Sequence, residues 1–209
     1  MPLILLTLAV YFCAGTLVAG DEESPVDEAT GLLDKQLTTL RATLPQATCL
    51  AVTFDEQRSF PFQSQPRKLS GRLLRDLESG RFVFDYEKPR RLKLIYNDGI
   101  VSLLRGNRAP EELPEATVSL SLFAALFKDD VIALTEDWTI RTEYSEGTPF
   151  FRLIPKSPAA KESYRRVDLI FSENALRQVV VVRENAVEHR YIFDLPQPLD
   201  YQEFEAIFE

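Results

Sequence analysis

The sequence is poor in the residues that cross-link a small domain or bind a metal. It contains two cysteines and one histidine in 209 residues. Cys13 lies in an apolar N-terminal segment, so a chain that loses this segment keeps only Cys49 and has no disulfide framework. The single histidine, His189, has no second histidine with which to hold a metal, and we expect it to be a surface or packing residue. Stability must therefore come from the packing of an apolar core.

Positive charge is also scarce. The chain has 24 Lys and Arg residues against 32 Asp and Glu, which gives a formal net charge of −8 at pH 7. An acidic balance argues against a nucleic-acid partner, and it argues against adsorption to an anionic membrane by charge alone. Any contact with lipid is therefore expected to be apolar.

The motifs of common catalytic sites are missing. The sequence contains no G-x-S-x-G, H-E-x-x-H, glycine-rich phosphate loop or C-x-x-C. The acidic pairs Glu111-Glu112, Asp129-Asp130 and Glu136-Asp137 fall in predicted loops without the spacing of a metal loop or of a catalytic acid pair. We therefore predict no enzyme activity, no catalytic residue, no metal site and no cofactor. An enzyme acting on lipids would require clustered polar residues inside a cavity.

A long apolar run occurs at the N-terminus. Residues 3–12 have the length of a signal-peptide core, and the small residues Val18-Ala19-Gly20 precede the acidic Asp21. The pattern predicts a signal peptide over residues 1–20, cleaved near Gly20. It leaves residues 21–209, which fit one domain by the usual prior of ~100 to 200 residues per domain.

Two other interpretations of this segment are less favoured. An uncleaved anchor needs about 20 apolar residues, and Gly15, Thr16 and Gly20 interrupt the run. Lipid attachment at Cys13 is disfavoured because the bulky Phe12 precedes it. No Lys or Arg follows Met1 as a signal peptide would normally have, which leaves open whether Met1 is the true start.

Apolar periodicity predicts a protein that is mainly β with helices. Leu33, Leu37 and Leu40 recur at helical spacing in 27–44, and Leu120, Phe123 and Phe127 do so in 118–127. Predicted strands lie at 47–58, 68–77, 81–87, 91–96 and 100–105, and then at 138–142, 150–154, 164–171, 176–183 and 189–193. Short turns between the first five strands predict an antiparallel meander, and one or two helical turns are predicted at 201–208.

Alternation within the strands predicts one face with large apolar side chains. This face carries Leu50, Val52 and Phe54 from the first strand and Phe82, Phe84 and Tyr86 from the third. These residues form either an ordinary core under the helices or the lining of a cavity, and a cavity requires a strongly curved sheet. Gly71, Gly80 and Gly99, which we place at strand ends, would favour curvature.

The order of several short motifs resembles that of the lipoprotein carrier LolA and its LolA-like relatives. The motifs are Phe54-x-Glu56-x-Arg58, Ser70-Gly71-x-Leu73, Phe82-x-Phe84-x-Tyr86-x-x-Pro89 and Asp98-Gly99, behind the predicted signal peptide. The resemblance covers nearly all of residues 21–209. The form of the first motif is more similar to the divergent LolA-like branch, because typical carriers have a glutamine near that place.

The resemblance implies a strongly curved antiparallel half-barrel, covered by a helical lid over a cavity for acyl chains. Leu50, Val52, Phe54, Phe82, Phe84 and Tyr86 would line this lipid-binding cavity, and Leu33, Leu37, Leu120, Phe123 and Phe127 would belong to the lid. Arg75 lies near the place of an arginine that latches the lid in typical carriers. Here Asp76 follows it where proline is typical, and an exposed arginine paired with Asp76 or Glu78 is the alternative.

By this resemblance, the expected function is that of a monomeric periplasmic carrier. It would bind the acyl chains of lipoproteins or another lipid and deliver them toward the outer membrane. An inner-membrane releasing complex and an outer-membrane acceptor are the implied partners. Two alternatives stay open: a dedicated carrier of a glycolipid or polyene-type product, and a lipid-sensing regulatory domain of the same fold.

Overall fold

The fold is an open, antiparallel twelve-stranded sheet with helices on both of its faces. A computed structural model describes residues 25–106, 109–113, 120–126 and 131–208. The sheet has the strand order β6-β5-β4-β3-β2-β1-β11-β10-β9-β8-β7, and β12 pairs with β1 beside this path. The predicted α+β class and the half-barrel architecture are confirmed. The predicted signal peptide and Phe127 lie outside the described residues.

The elements follow one another as two groups of strands joined by short helices. The first group is α1 (Pro25–Thr43), β1 (Cys49–Ser59), β2 (Arg67–Asp76), β3 (Phe82–Lys88), β4 (Leu92–Asn97), β5 (Ile100–Leu104) and β6 (Glu111–Glu112). Then come α2 (120–126), α3 (Val131–Asp137), β7 (Trp138–Ser145), β8 (Thr148–Pro155), α4 (Pro158–Ser163), β9 (Tyr164–Ser172), β10 (Ala175–Arg183), β11 (Glu188–Phe193), β12 (Gln197–Leu199) and α5 (Tyr201–Glu205).

Every predicted strand is present, and the first five pair as a meander. The Asp98-Gly99 turn has both residues at positive φ, 47° and 83°, as a tight two-residue hairpin requires. Four short elements were missed: β6, α3, α4 and β12. The placement of Glu111-Glu112 and Glu136-Asp137 in loops was wrong, because these pairs form β6 and the end of α3. Ser157-Pro158 is a helix-start signal for α4, since the Ser157 hydroxyl accepts a hydrogen bond from the Ala160 amide.

The sheet is curved so strongly that side chains from distant strands meet. Strands β3 and β11 are separated by β2 and β1, which would put them about 14 Å apart in a flat sheet. The ring centroids of Phe84 on β3 and Tyr191 on β11 nevertheless lie 5.9 Å apart. The inner face therefore encloses its apolar residues as a half-barrel does.

Gly71 occupies the inner face at the centre of this bend. It pairs with Phe54 on one side and Tyr86 on the other, and the two rings meet at a centroid distance of 5.2 Å. A bulge at Ser70/Gly71 shifts the β2–β3 register. A Cβ atom at Gly71 would lie 2.2 Å from the Asp85 carbonyl oxygen. The placement of Gly71 at a strand end was therefore wrong: it lies inside β2, where only glycine fits the close approach of β3.

The helices α1 and α2 cover the concave face. Leu33 and Leu37 of α1 and Leu120 and Phe123 of α2 are all at most 5% exposed and belong to the main core. Leu32 of α1 points away from this core and is 44% exposed. The predicted lid residues that the structure describes thus lie against the sheet.

A second, smaller core lies on the convex face under α5. Cys49, Leu74 and Val83 are fully buried there against Phe204. Burial, together with the charge of Asp76, raises the pKa of the Cys49 thiol to about 11, so this cysteine is an inert packing residue.

Arg81 ties α5 to the sheet. Its guanidinium lies 5.4 Å from the Phe204 ring centroid, and it forms ion pairs with Asp76 and Glu205. Within the described residues no helix is both long enough and apolar enough to cross a membrane.

Replacing Gly71 with alanine should destabilise the protein by about 1–3 kcal/mol or more, the usual range for overpacking, because the new methyl group meets backbone that side chains cannot move. The matched control is Gly31→Ala in α1, where nothing lies within 4 Å of the added atom. The control should gain roughly 0.5–1 kcal/mol from helix propensity. Denaturant unfolding measures both changes. Equal stabilities of the two variants would contradict the importance of the close approach at Gly71.

Candidate functional site

The concave face holds two small cavities between the sheet and the helices. The first, called the apolar cavity here, has a volume of about 90 Å³ and lies between α1, the end of α2 and the centre of the sheet. It is lined by Leu37, Leu40, Leu44, Leu50, Val52, Leu73, Arg75, Leu126, Ala175, Leu176, Phe193, Asp194 and Pro196. Most of this wall is apolar, as an acyl chain requires, and Arg75 and Asp194 are its charged residues.

The second, called the tyrosine cavity, has a volume of about 160 Å³ and lies under α2. It is lined by Arg58, Phe84, Tyr86, Leu94, Leu120, Phe123, Tyr164, Val181, Arg183, His189 and Tyr191. Its wall therefore combines apolar side chains with three phenols, two guanidinium groups and an imidazole. An amphiphilic molecule would find both an apolar and a polar surface here.

A group of aromatic rings separates the two cavities. Phe54 packs edge-to-face on Phe84 at 5.4 Å and lies 6.4 Å from Phe193, while Phe123 of α2 packs edge-to-face on Phe84 at 5.2 Å. The lid helix thus contributes one ring of this partition. Helix α2 contributes to the walls of both cavities, with Phe123 in the tyrosine cavity and Leu126 in the apolar cavity.

A buried ion cluster forms the polar end of the tyrosine cavity. The Glu56 side chain is fully buried, and its carboxylate accepts hydrogen bonds from Arg58 Nε at 2.6 Å and Arg58 Nη2 at 3.0 Å. The His189 Nδ1 atom lies 2.8 Å from the same carboxylate. Burial alone would raise the pKa of Glu56, but the hydrogen bonds from His189 and Arg58 outweigh it and lower the pKa to about 2.

The two central phenols of this cavity are held in the neutral form. Burial raises the pKa of Tyr86 well above its usual value, and the negative charge of Glu56 raises it further. Burial likewise raises the pKa of Tyr191, with Tyr86 and Glu56 adding to the effect. The phenols can therefore donate hydrogen bonds near neutral pH but cannot supply a charge.

Arg75 stands at the junction of the apolar cavity and a larger polar groove. Arg75 and Leu44 line both spaces, and the groove, of about 860 Å³, runs between the end of α1 and the β2–β3 turn. Arg75 and Asp76 project to opposite faces of β2, and the Asp76 carboxylate is engaged by Ser79 and Arg81. Arg75 is half-buried and lines the same groove as Glu78, so both the latch and the alternative of a pairing with Asp76 or Glu78 stay predictions.

The predicted cavity residues share the concave face but divide between different roles. Leu50 and Val52 line the apolar cavity, and Phe84 and Tyr86 line the tyrosine cavity. Phe54 and Phe82 line neither, because Phe54 belongs to the ring partition and Phe82 is fully buried and stacked on Tyr96 at 4.8 Å. A binding role for each of these residues stays a prediction.

The ion cluster was not anticipated as a unit. Glu56 and Arg58 lie two and four residues after Phe54 on β1, so they share its inner face. His189 likewise shares the inner face of β11 with Tyr191 and Phe193. That alternation was the available signal. Only the pairing of β1 with β11 shows that the two sets meet.

The described residues contain no group of three or more His, Cys, Asp or Glu side chains placed to hold a metal ion. No family model matches the chain, and no curated protein sequence matches it.

Solved structures with the same architecture do exist. A DUF1329 family protein from Desulfovibrio piger matches with a TM-score of 0.51 at 10% identity, over 89% of this chain and 98% of that one. A LolA superfamily protein from Nitrosomonas europaea matches with a TM-score of 0.47 at 8% identity, over 82% of this chain and 96% of that one. A domain from Vibrio parahaemolyticus named for outer membrane lipoprotein sorting matches with a TM-score of 0.47 at 9% identity, over 86% and 98%.

These likenesses concern the fold. The Desulfovibrio protein shares the architecture along nearly its whole length, in agreement with the predicted curved antiparallel half-barrel. At 8–10% identity the matches carry no residue-level assignment.

The Glu56 cluster makes stability depend on pH in the acid range. A carboxylate whose pKa falls from 4.5 to about 2 on folding contributes stability that is present above pH 4.5 and is lost as the pH falls toward 2. The contribution is on the order of 3 kcal/mol at 1.36 kcal/mol per pKa unit. Glu56→Gln should therefore be less stable than the native protein at neutral pH, and the difference should shrink between pH 4.5 and 2 in denaturant unfolding.

The exposed neighbour Asp55 offers the control, because Asp55→Asn changes the same charge on the outer face of β1. That variant should remain within about 0.5 kcal/mol of the native protein, as is usual for surface substitutions. A difference for Glu56→Gln that stays constant from pH 7 to 2 would rule out the ion cluster as its source.

Proposed function

We propose that this protein is a non-enzymatic carrier that holds the acyl chains of a lipoprotein or another lipid under its helical lid. The observation that supports it is the concave sheet face, which is apolar over most of its area and is covered by α1 and α2 with cavities between them. A cargo site needs an entrance from solvent to its apolar interior, which an ordinary core does not. The polar groove that meets the apolar cavity at Arg75 would provide such an entrance.

The physical chemistry of acyl chains explains why such a carrier is needed. An acyl chain of ~16 carbons exposed to water costs on the order of 13 kcal/mol, at ~0.8 kcal/mol per methylene. A lipidated molecule therefore does not cross an aqueous gap by itself at a useful rate. An aliphatic cavity closed by a movable helix removes most of this cost and still allows release.

Cargo binding requires the lid to open. Sites for small molecules usually have volumes of about 300–1,000 Å³, whereas the two cavities here have volumes of about 90 and 160 Å³. Lifting α2 would withdraw Leu120 and Phe123 from the tyrosine cavity and Leu126 from the apolar cavity, which would enlarge both. The structure therefore represents the closed form in this proposal, and α2 is the element that moves.

The predicted signal peptide supports a place for this carrier outside the inner membrane. A location in the periplasm, cargo delivery toward the outer membrane, a releasing complex in the inner membrane and an acceptor in the outer membrane are all part of the proposal. One of the solved structures with this fold is named for outer membrane lipoprotein sorting.

The polar end of the tyrosine cavity favours a second candidate, a dedicated carrier of a glycolipid-type product. Arg58, His189 and the phenols of Tyr86 and Tyr191 form a polar, hydrogen-bonded network with Glu56 beside an apolar wall, and a polar head group could exchange hydrogen bonds with this network. A lipid with a polar head group would fit this network better than a bare acyl chain would.

The same cluster is less suited to catalysis. A general base works best when its pKa lies near the operating pH, and the pKa of Glu56 is about 2. Its carboxylate is also already engaged by Arg58 and His189. The cluster therefore fits a structural or ligand-orienting role.

Filling the apolar cavity tests the carrier proposal. Val52 is only partly buried and lines this cavity, so Val52→Phe places a ring in the space that cargo would occupy. We expect at least a tenfold loss of affinity for a fluorescent palmitoyl-chain probe, which corresponds to about 1.4 kcal/mol. Ile192→Phe on the outer face of β11 is the matched control and should bind the probe as the native protein does.

A native protein that fails to bind the probe would contradict the proposal. Native mass spectrometry with lipid extraction, on protein purified without detergent from its own host, identifies the cargo. Bound triacylated lipoprotein supports the first candidate, and bound glycolipid supports the second.

Replacing Arg75 tests the predicted latch. If the guanidinium holds the lid across the mouth of the apolar cavity, Arg75→Leu should change the release rate of the bound probe by about tenfold, the equivalent of one hydrogen bond to a charged group. Arg72→Leu is the control on the outer face of the same strand, where Arg72 interacts with Asp85 and Glu203. Stopped-flow release kinetics distinguish the two, and equal rates in both variants would exclude the latch.

A further inference from the structure

One edge of the half-barrel concentrates positive charge in a protein that is acidic overall. The β1–β2 loop with the start of β2 (60–68) and the β3–β4 turn (88–91) together contain five basic residues and no acidic one. These residues, called the basic edge here, are Arg67, Lys68, Lys88, Arg90 and Arg91. All five are exposed, and the pairing of Ser70 with Lys88 brings the two segments together at one end of neighbouring strands.

The basic edge has no salt bridge within the part of the chain that the structure describes, and Arg91 interacts with Asp85 at longer range. None of its five residues forms an ion pair there, whereas Arg72, Arg81 and Arg152 on other parts of the surface are paired with Asp or Glu. The chain as a whole carries a net charge of −8. The charge distribution is therefore strongly polarised, and an anionic surface would attract this edge while it repels the rest.

An exposed aromatic side chain projects from the same edge. Phe62, in the β1–β2 loop, is 99% exposed, which makes it the most exposed large apolar residue in the described chain. The neighbouring Phe60 packs instead against Arg67, whose guanidinium lies 4.8 Å from the ring centroid. Aromatic rings flanked by basic residues partition into the interface between lipid head groups and acyl chains.

The basic edge adjoins the polar end of the tyrosine cavity. Arg58 lines that cavity, and it pairs with Arg67 of the basic edge across the β1–β2 ladder. A surface bound at this edge would therefore lie next to the end of the concave face at which Arg58 and His189 are found.

We propose that the basic edge and Phe62 form a docking surface for an anionic lipid membrane. A membrane is favoured over an acidic protein for two reasons. Phe62 has no apolar partner within the described chain and can enter the lipid interface. Exposed lysines and arginines are attracted to an anionic membrane surface without needing the fixed ion-pair geometry of a protein partner. This inference goes beyond the proposed carrier function and does not depend on it, since docking requires no bound cargo. It differs from the expectation that any contact with lipid is apolar, because basic residues would contribute to this contact together with Phe62.

Vesicle co-sedimentation of the protein, without its predicted signal peptide, tests the proposal. We expect binding to vesicles of equal parts phosphatidylglycerol and phosphatidylcholine, and little binding to vesicles of phosphatidylcholine alone. Each basic residue near an anionic surface contributes roughly a fivefold change in the partition coefficient. The triple variant Lys88→Gln, Arg90→Gln, Arg91→Gln should therefore lose on the order of a hundredfold, and Phe62→Ser should lose severalfold with a weaker salt dependence than the triple variant shows.

A charge-matched control separates a local surface from a net-charge effect. Lys35→Gln, Lys156→Gln, Lys161→Gln removes the same three charges from exposed positions elsewhere. Native-like vesicle binding by this control supports the docking surface, and an equal loss in both triple variants overturns it. Equal binding of the native protein to both vesicle types also overturns the proposal, because the basic residues then contribute nothing, and absence of binding to either type overturns it and points to an acidic protein partner. All variants should bind the palmitoyl probe normally, so a failure here is distinct from a failure of the carrier function.

Discussion

The bend of the sheet at Gly71 is the constraint on which the rest of the structure depends. Strand β3 approaches β2 so closely there that no side chain fits, and the rings of Phe54 and Tyr86 meet over the gap. This contact folds the first five strands toward β11 and encloses the concave face. Without the bend, the apolar side chains of β1 and β3 would form one face of an open sheet, and no cavity would exist between them and the helices.

The same bend explains why a carboxylate can be buried in an otherwise apolar interior. Glu56 enters the enclosed space together with Arg58, and the curvature brings the β11 residues His189 and Tyr191 next to them. A buried charge is tolerated only when it is paired and hydrogen-bonded, and the contacts of the Glu56 carboxylate with Arg58 and His189 meet these conditions. The polar cluster thereby gives one end of the concave face a chemistry that the aliphatic end lacks.

Much of the fold could be predicted because it depends on local patterns. Two of these patterns belong to short segments: the period-2 alternation at Phe82, Phe84 and Tyr86, and the three- and four-residue spacing in α1. Both patterns predicted the correct elements and the correct inner face. The short helix α3 was missed because its acidic end resembled a loop. The small core around Cys49 was missed because it depends on where α5 docks, and no pattern within 201–208 indicates which face of the sheet the helix covers.

The sequence by itself determined the type of each main element, which residues point inward and the meander of the first five strands, because these follow from backbone geometry and short turns. Only the tertiary structure decided that the inner residues divide into two cavities, that Arg75 stands at the mouth of one and that Glu56 meets His189. It also decided that basic residues in two separate loops share one edge. Net charge is a sum over the chain, whereas an electrostatic surface depends on distances, and distances between strands far apart in sequence are set by pairing and curvature.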